Sequence, residues 1–243
     1  MDILLDSGTM FGMGAFETIA VCNSKAILLE EHIERLGAGL QYLQIDKKIK
    51  SKDIEKFIID NKIKNGVVKI MVSEKNTIIT TRENPYTKEM YEKGFSLQIS
   101  KIKRNETSPL TYLKTFNYSD NILEREKAIK GNYNDAMFVN SKDFICETSC
   151  SNIFFVRKEQ IYTPVMHSGL LPGVVRSYVI KRYEVIEKEI HISELVDYEE
   201  VFITNSLLGV MPIYKIDNQT FLKNNIGKKI RTEYQKYVDV EKM

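Results

Sequence analysis

Gly66-Val-Val-Lys-Ile-Met-Val-Ser73 is the stretch on which the fold class turns. Val67, Val68, Ile70 and Val72 are β-branched, stiff at χ1 and well suited to a pleated strand, so the run predicts a strand. The chain before it has a different period. From Leu28 to Leu43 the apolar positions Leu28, Leu29, Ile33, Leu36, Leu40 and Leu43 recur mostly every third or fourth residue, which predicts an amphipathic helix. Residues 51–63 repeat that pattern, with Ser51 as the N-cap. Further strands are predicted at Phe16–Asn23, Ile78–Thr81 and Phe95–Ile102. Strand, two helices and then three strands is not strict βαβ alternation. The pattern predicts an α+β (mixed α/β) protein.

Beyond this block, Arg104-Asn-Glu-Thr-Ser-Pro-Leu110 is polar, contains a proline and has no period. It predicts an interdomain connection over 104–112, between a lobe of residues 1–103 and a lobe of residues 113–243. The second lobe opens with a helix over 119–129 closed by Gly131. Short strands follow at 136–139, 144–146, 152–156 and 201–204, with helices at 174–182 and 224–238. Neither a repeat nor a low-complexity block interrupts the pattern.

Composition narrows the function classes. The 35 basic and 33 acidic residues are interspersed and leave a net charge of +2, which is no footprint for nucleic acid. No apolar run approaches the roughly 18 residues of a membrane span. The first residues lack the basic flank of a secretory signal, so a cytoplasmic protein is expected. Cys22, Cys146 and Cys150 are too few for a disulfide framework, and no zinc-type spacing joins them to His32, His167 or His191. No metal site is expected.

Several residues are candidates for chemistry. Lys114, in Tyr112-Leu-Lys-Thr-Phe-Asn-Tyr118, has apolar and aromatic neighbours that ease loss of its proton, as a nucleophilic lysine requires; otherwise it is a surface lysine at a helix entrance. Glu147 ends the apolar run Phe144-Ile-Cys and precedes small polar residues. It either faces a cationic ring nitrogen or finishes a strand-end turn. Leu171-Pro-Gly-Val-Val-Arg-Ser177 places a glycine before a helical pattern, either as an anion seat or as a plain cap. Thr204-Asn-Ser206 is either a further hydroxyl donor or a turn, and Arg35 either an anion ligand or an ordinary helix arginine. Phe11-Gly-Met-Gly-Ala-Phe-Glu-Thr18 is not a dinucleotide loop, because it leads into a strand and lacks the third glycine.

Taken in order, Phe11–Thr18, Glu31-His-Ile-Glu-Arg-Leu36, Leu113–Tyr118, Glu147-Thr-Ser-Cys-Ser-Asn-Ile-Phe154, Leu171–Arg176 and Thr204–Ser206 resemble the class IV aminotransferase family, the fold-type IV pyridoxal-phosphate (PLP) enzymes. The resemblance implies two α/β lobes with PLP between them, as a homodimer acting on a small-molecule amine. It further implies that Lys114 carries the cofactor as a Schiff base and shuttles protons. Glu147 would pair with the pyridine nitrogen, and Arg35, the backbone of Val174 and Val175, and Ser206 would bind the phosphate. The family carries a longer strand pair ahead of the Phe11 motif, so a shortened first-lobe edge is expected.

The family divides into branched-chain aminotransferases, D-amino-acid aminotransferases and 4-amino-4-deoxychorismate lyases. Arg104–Leu110 running into Leu113–Tyr118, Asn65–Val72 and Asn205-Ser-Leu-Leu-Gly-Val-Met-Pro212 resemble the lyases most. The resemblance then implies conversion of 4-amino-4-deoxychorismate to 4-aminobenzoate and pyruvate. The alternatives are transamination of D-amino acids or branched-chain amino acids, and a non-catalytic PLP-binding or small-molecule-binding protein.

Overall fold

A computed structural model describes residues 2–240 of the chain. Two compact units emerge. Of the described residues, the first takes 2–85, the segment Leu113–Asn117 and 236–240; the second takes Tyr86–Tyr112 and Tyr118–Gln235.

The first unit holds α1 (Ser7–Phe11), β1 (Gly14–Cys22), β2 (Lys25–Ala26), α2 (Leu29–Tyr42), α3 (Ser51–Asp60), β3 (Asn65–Ser73) and β4 (Thr77–Arg82). Its four strands form an antiparallel sheet in the order β2-β1-β3-β4. The decisive run is indeed a strand, paired with the whole of β1 from Gly14 opposite Ser73 to Cys22 opposite Asn65. α2 turns Leu29, Leu36 and Leu40 inward onto Ile19, Val68 and Ile70. Each such burial contributes roughly 1.5–3 kcal/mol. α3 starts at Ser51 itself, with Lys50 in the cap position, so Ser51 is the first helical residue and not its N-cap. Leu113–Asn117 runs antiparallel to the start of β1, with Phe16 N donating to Lys114 O and Phe116 N to Gly14 O, both at 2.9 Å. Only glycine fits at position 14, since a Cβ there would lie 2.3 Å from Phe116 Cε2.

The second unit comprises α4 (Lys88–Lys93), β5 (Phe95–Ile99), α5 (Ser119–Lys130), β6 (Asp135–Val139), β7 (Ile145–Thr148), β8 (Asn152–Arg157), β9 (Gln160–Pro164), α6 (Val174–Arg182), β10 (Val185–Lys188), β11 (Glu200–Asn205), β12 (Gly209–Ile216), β13 (Gln219–Thr220) and most of α7 (Asn225–Val240). Its mixed sheet runs β10-β9-β8-β11-β12-β5-β6-β7, with β13 beside β12. β8 is buried from Asn152 to Val156 without alternation, because both faces of the sheet are covered. On one face Phe155 and Ile203 join Leu97, Met137 and Met211, while Phe154 and Phe202 stack with centroids 4.9 Å apart.

The division differs from a boundary at residue 104. β5 pairs in parallel with β12 and β6, which ties Phe95–Ile99 to the second unit. The polar stretch expected as a connection is itself packed there: Arg104 N donates to Val139 O, and Pro109–Tyr112 forms a 3₁₀ turn. Strand partnership is a long-range choice that local polarity does not encode. Among the described residues no helix is long and apolar enough to cross a membrane.

Candidate active site

In the first unit, β1 carries a carboxylate in the core. Glu17 is completely buried, and both of its oxygens are engaged. Arg35 Nε donates to Oε1 and Arg35 Nη2 to Oε2, each at 2.7 Å, while His32 Nδ1 donates to Oε2 at 2.6 Å. Burial pushes the Glu17 carboxyl up, but the Arg35 charge and then His32 outweigh it and hold it at about 2. Burial also lowers His32, more than Glu17 raises it, with the positive charges of Arg35 and Lys114 adding to the lowering. The ring is therefore neutral, with its proton on Nδ1, and Nε2 is left buried without a hydrogen-bond partner. His32 and Arg35 lie three apart on α2, on the face that carries Leu36 into the core, and the Arg35 side chain is only 13% exposed. Lys114 is half-buried, with Nζ 4.6 Å from the centre of the Phe16 ring. Arg35 and Lys114 thus both meet the Phe16-Glu17 pair of β1.

In the second unit, Glu147 lies near the end of β7, with 7% of its surface exposed. Its Oε2 accepts from Leu171 N and from Asn152 Nδ2, both at 3.2 Å, and Oε1 faces Arg104 Nη2 at 3.4 Å. Arg104 is fixed in turn by Asn121 Oδ1 at 3.0 Å and by the Phe138 ring, 4.0 Å below its guanidinium. Tyr118 and Asn121 both donate to Ser149 O. Burial, then Cys150 and Glu147, push the Tyr118 phenol well above its ordinary value, so it stays a donor.

Asn152 also donates to Leu171 O at 2.9 Å, which draws the segment ahead of α6 onto the β7–β8 turn. Gly173 caps α6 without any side-chain hydrogen bond, and a Cβ on it would fall 1.8 Å from Asn152 Oδ1. Val174 and Val175 begin the helix, so their N–H groups have no intrahelical carbonyl to meet. Thr204, opposite Asn152 in the ladder, has a buried hydroxyl without a hydrogen-bond partner. Ser206 is half-buried in the following turn, which Asn205 closes by accepting from Leu207 N and Leu208 N and donating to Ser151 Oγ at 2.9 Å. Glu147, Val174, Val175 and Ser206 are therefore gathered by neighbouring turns of one sheet. A buried acid, an open helix start and an orphaned hydroxyl fit a flat cationic ring that bears a phosphate. Arg176, from the same motif, is used by the fold: its Nη2 donates to Pro164 O and to Glu187.

This mixed α/β architecture is that of the fold-type IV PLP-dependent enzymes. The chain belongs to the class IV aminotransferase family, whose pattern matches residues 14–216, a span containing Arg35, Lys114, Glu147, Val174, Val175 and Ser206. The members of this family are PLP-dependent enzymes, lyases or aminotransferases. The chain is 26% identical to the aminodeoxychorismate lyase of Bacillus subtilis over 239 residues, covering 89% of this chain and 82% of that one. It is 26% identical to the D-alanine aminotransferase of Bacillus licheniformis over 245 residues, 88% and 83% of the respective chains. Among solved structures, a Legionella pneumophila protein described as a 4-amino-4-deoxychorismate lyase superposes with a TM-score of 0.88 at 27% identity, over 97% of this chain and 95% of that one. A Thermotoga maritima protein described as a branched-chain amino acid aminotransferase shares the fold, with a TM-score of 0.86 at 20% identity over 98% and 91%.

Glu17, His32, Arg104 and Asn152 stood in or beside the quoted motifs with no role attached. For Glu17 and His32 a signal existed: a lone acid inside an apolar strand, and a histidine and an arginine three apart on the apolar face of a helix. For Arg104 none existed, because its contact with Glu147 spans 43 residues.

Proposed function

We propose that the protein is a lyase that converts 4-amino-4-deoxychorismate to 4-aminobenzoate and pyruvate. The observation that carries this reading is the likeness to the Legionella protein, at 27% identity and across 95% of that chain. The branched-chain aminotransferase structures from Escherichia coli share the fold at 18–20% identity.

The residues take the following parts. PLP, when bound, would supply an electron sink for the negative charge that develops at substrate C4. Lys114 would hold the cofactor through its side-chain nitrogen and, as a free amine, would take the proton from substrate C4. Glu147, steadied by Leu171 N, Asn152 and Arg104, holds a proton at the ring nitrogen. Arg35, the N–H groups of Val174 and Val175, and Ser206 hold the phosphate. Loss of the C4 proton and rupture of the enolpyruvyl C–O bond leave an aromatic amine, and the departing enolpyruvate becomes pyruvate on taking up a proton. The homodimer and the cytoplasmic location belong to the same reading.

The test mixes the PLP-loaded protein with enzymatically generated aminodeoxychorismate and follows 4-aminobenzoate fluorescence together with pyruvate. Equimolar release of both is expected. A protein that shows bound-cofactor absorbance but releases neither product is not the lyase; amino-acid and keto-acid pairs, D-amino acids first, are then the substrates to try.

A further inference from the structure

Glu17 has no part in the chemistry above, yet it is a charged group in the middle of an apolar core. Desolvating a carboxylate costs several kcal/mol, and a buried ion pair often does no more for stability than apolar residues of the same volume. Its geometry points to a different use. The two bonds from Arg35 fall on the Nε–Nη2 edge, so they fix the plane of the guanidinium as well as its position. His32 holds the shared oxygen from the other side, and as a neutral ring it braces Glu17 without competing for its charge. A free arginine carries rotamer entropy that an anion must otherwise overcome on binding. Here that ordering is already complete.

We propose that Glu17, braced by His32, is a positioning residue that holds Arg35 as a preformed anchor for the cofactor phosphate. This rests on the reading of Arg35 as a phosphate ligand. Glu17, with no exposed surface and both oxygens engaged, acts through Arg35 and not on the ligand directly. Its effect is confined to ligands that bear a phosphate, which separates it from a purely structural role.

The experiment titrates the cofactor-free protein with PLP and with pyridoxal, which lacks the phosphate, and takes the ratio of the two Kd values as the phosphate preference. The thermal transition of each cofactor-free variant is recorded in parallel. Glu17→Gln is expected to lower the preference about tenfold, the scale of one charge-assisted hydrogen bond, while pyridoxal affinity stays within about twofold. The ³¹P resonance of bound PLP moves toward that of free PLP in the same variant. Arg35→Gln serves as the control for the underlying reading. A wild-type preference in Arg35→Gln removes Arg35 from the phosphate and overturns the proposal with it. A collapsed preference in Arg35→Gln beside an unchanged one in Glu17→Gln leaves Arg35 in place and overturns only the role of Glu17. Should Glu17→Gln fail to fold, Glu17→Asp keeps the charge of the buried pair but withdraws the carboxylate by one methylene. A wild-type preference in that variant also overturns the proposal.

Discussion

Glu17 and Glu147 are both buried glutamates facing an arginine, and they are held in opposite ways. Glu17 receives three hydrogen bonds of 2.6–2.7 Å from Arg35 and His32, two of them on the rigid edge of a guanidinium. Glu147 has among its contacts three longer ones of 3.2–3.4 Å, from a backbone N–H, an amide and an arginine that also bonds Asn121. Short, bidentate, charge-assisted bonds lock a group into the fold, whereas the carboxylate of Glu147 sits near the end of a strand beside an open helix start. An acid of the first kind positions its neighbours. One of the second kind suits contact with a cofactor.

The contrast yields graded predictions. Lys114→Ala should remove steady-state turnover, a loss of about 10³-fold or more, together with the borohydride-trappable cofactor link. Near-normal turnover would take Lys114 out of its role. Glu147→Gln should still bind PLP but lose about 10²-fold in kcat, the scale of one preorganised electrostatic partner. An unchanged kcat would mean that Glu147 only finishes a strand.

Stability should reverse the ranking of the two acids. Glu17→Ala breaks a buried ion pair held by three short hydrogen bonds and should cost about 3–5 kcal/mol in denaturant unfolding. Glu147→Ala should cost about 1–2 kcal/mol, since Arg104 keeps Asn121 and the Phe138 ring. Equal costs would erase the distinction between a locked acid and an oriented one.

The smallest effect is the dependence on pH. Glu17 lies below its ordinary 4.5 in the folded protein, so its contribution is complete above that value and is lost as pH falls toward 2. His32 is also lowered from 6.5, so below that pH the unfolded chain takes up a proton that the buried ring refuses. Its contribution is present above 6.5 and declines with falling pH, by at most about 1.4 kcal/mol per pH unit. His32→Asn, which keeps a donor near the position of Nδ1, should flatten the thermal-stability profile between pH 6.5 and 4.5, the range that separates the ordinary values of the two groups. An unaltered slope would locate the acid lability elsewhere.

Much of the fold was legible because its elements are locally consistent. The β-branched run became β3, the heptad-like leucines became α2, and Gly173 preceded a helix as its spacing implied. The candidate residues were legible only through their order along the chain, since Lys114 taken singly reads more readily as a surface lysine and Glu147 equally well as a turn residue. The capping of α3 by Lys50 and the short strands β9, β10 and β13 lay outside local pattern, as did the place of β5 in the second sheet.

By itself, then, the sequence determined the mixed α/β class, the helical and extended runs, and the family to which the spaced motifs belong, because periodicity and motif order are properties of the chain alone. The tertiary structure decided which strands share a sheet and which charges meet. Glu17 joins His32 and Arg35 from 15 and 18 residues away, and Arg104 reaches Glu147 across 43. Pairings of that kind are set by packing, which selects among many partners that are chemically equivalent in sequence.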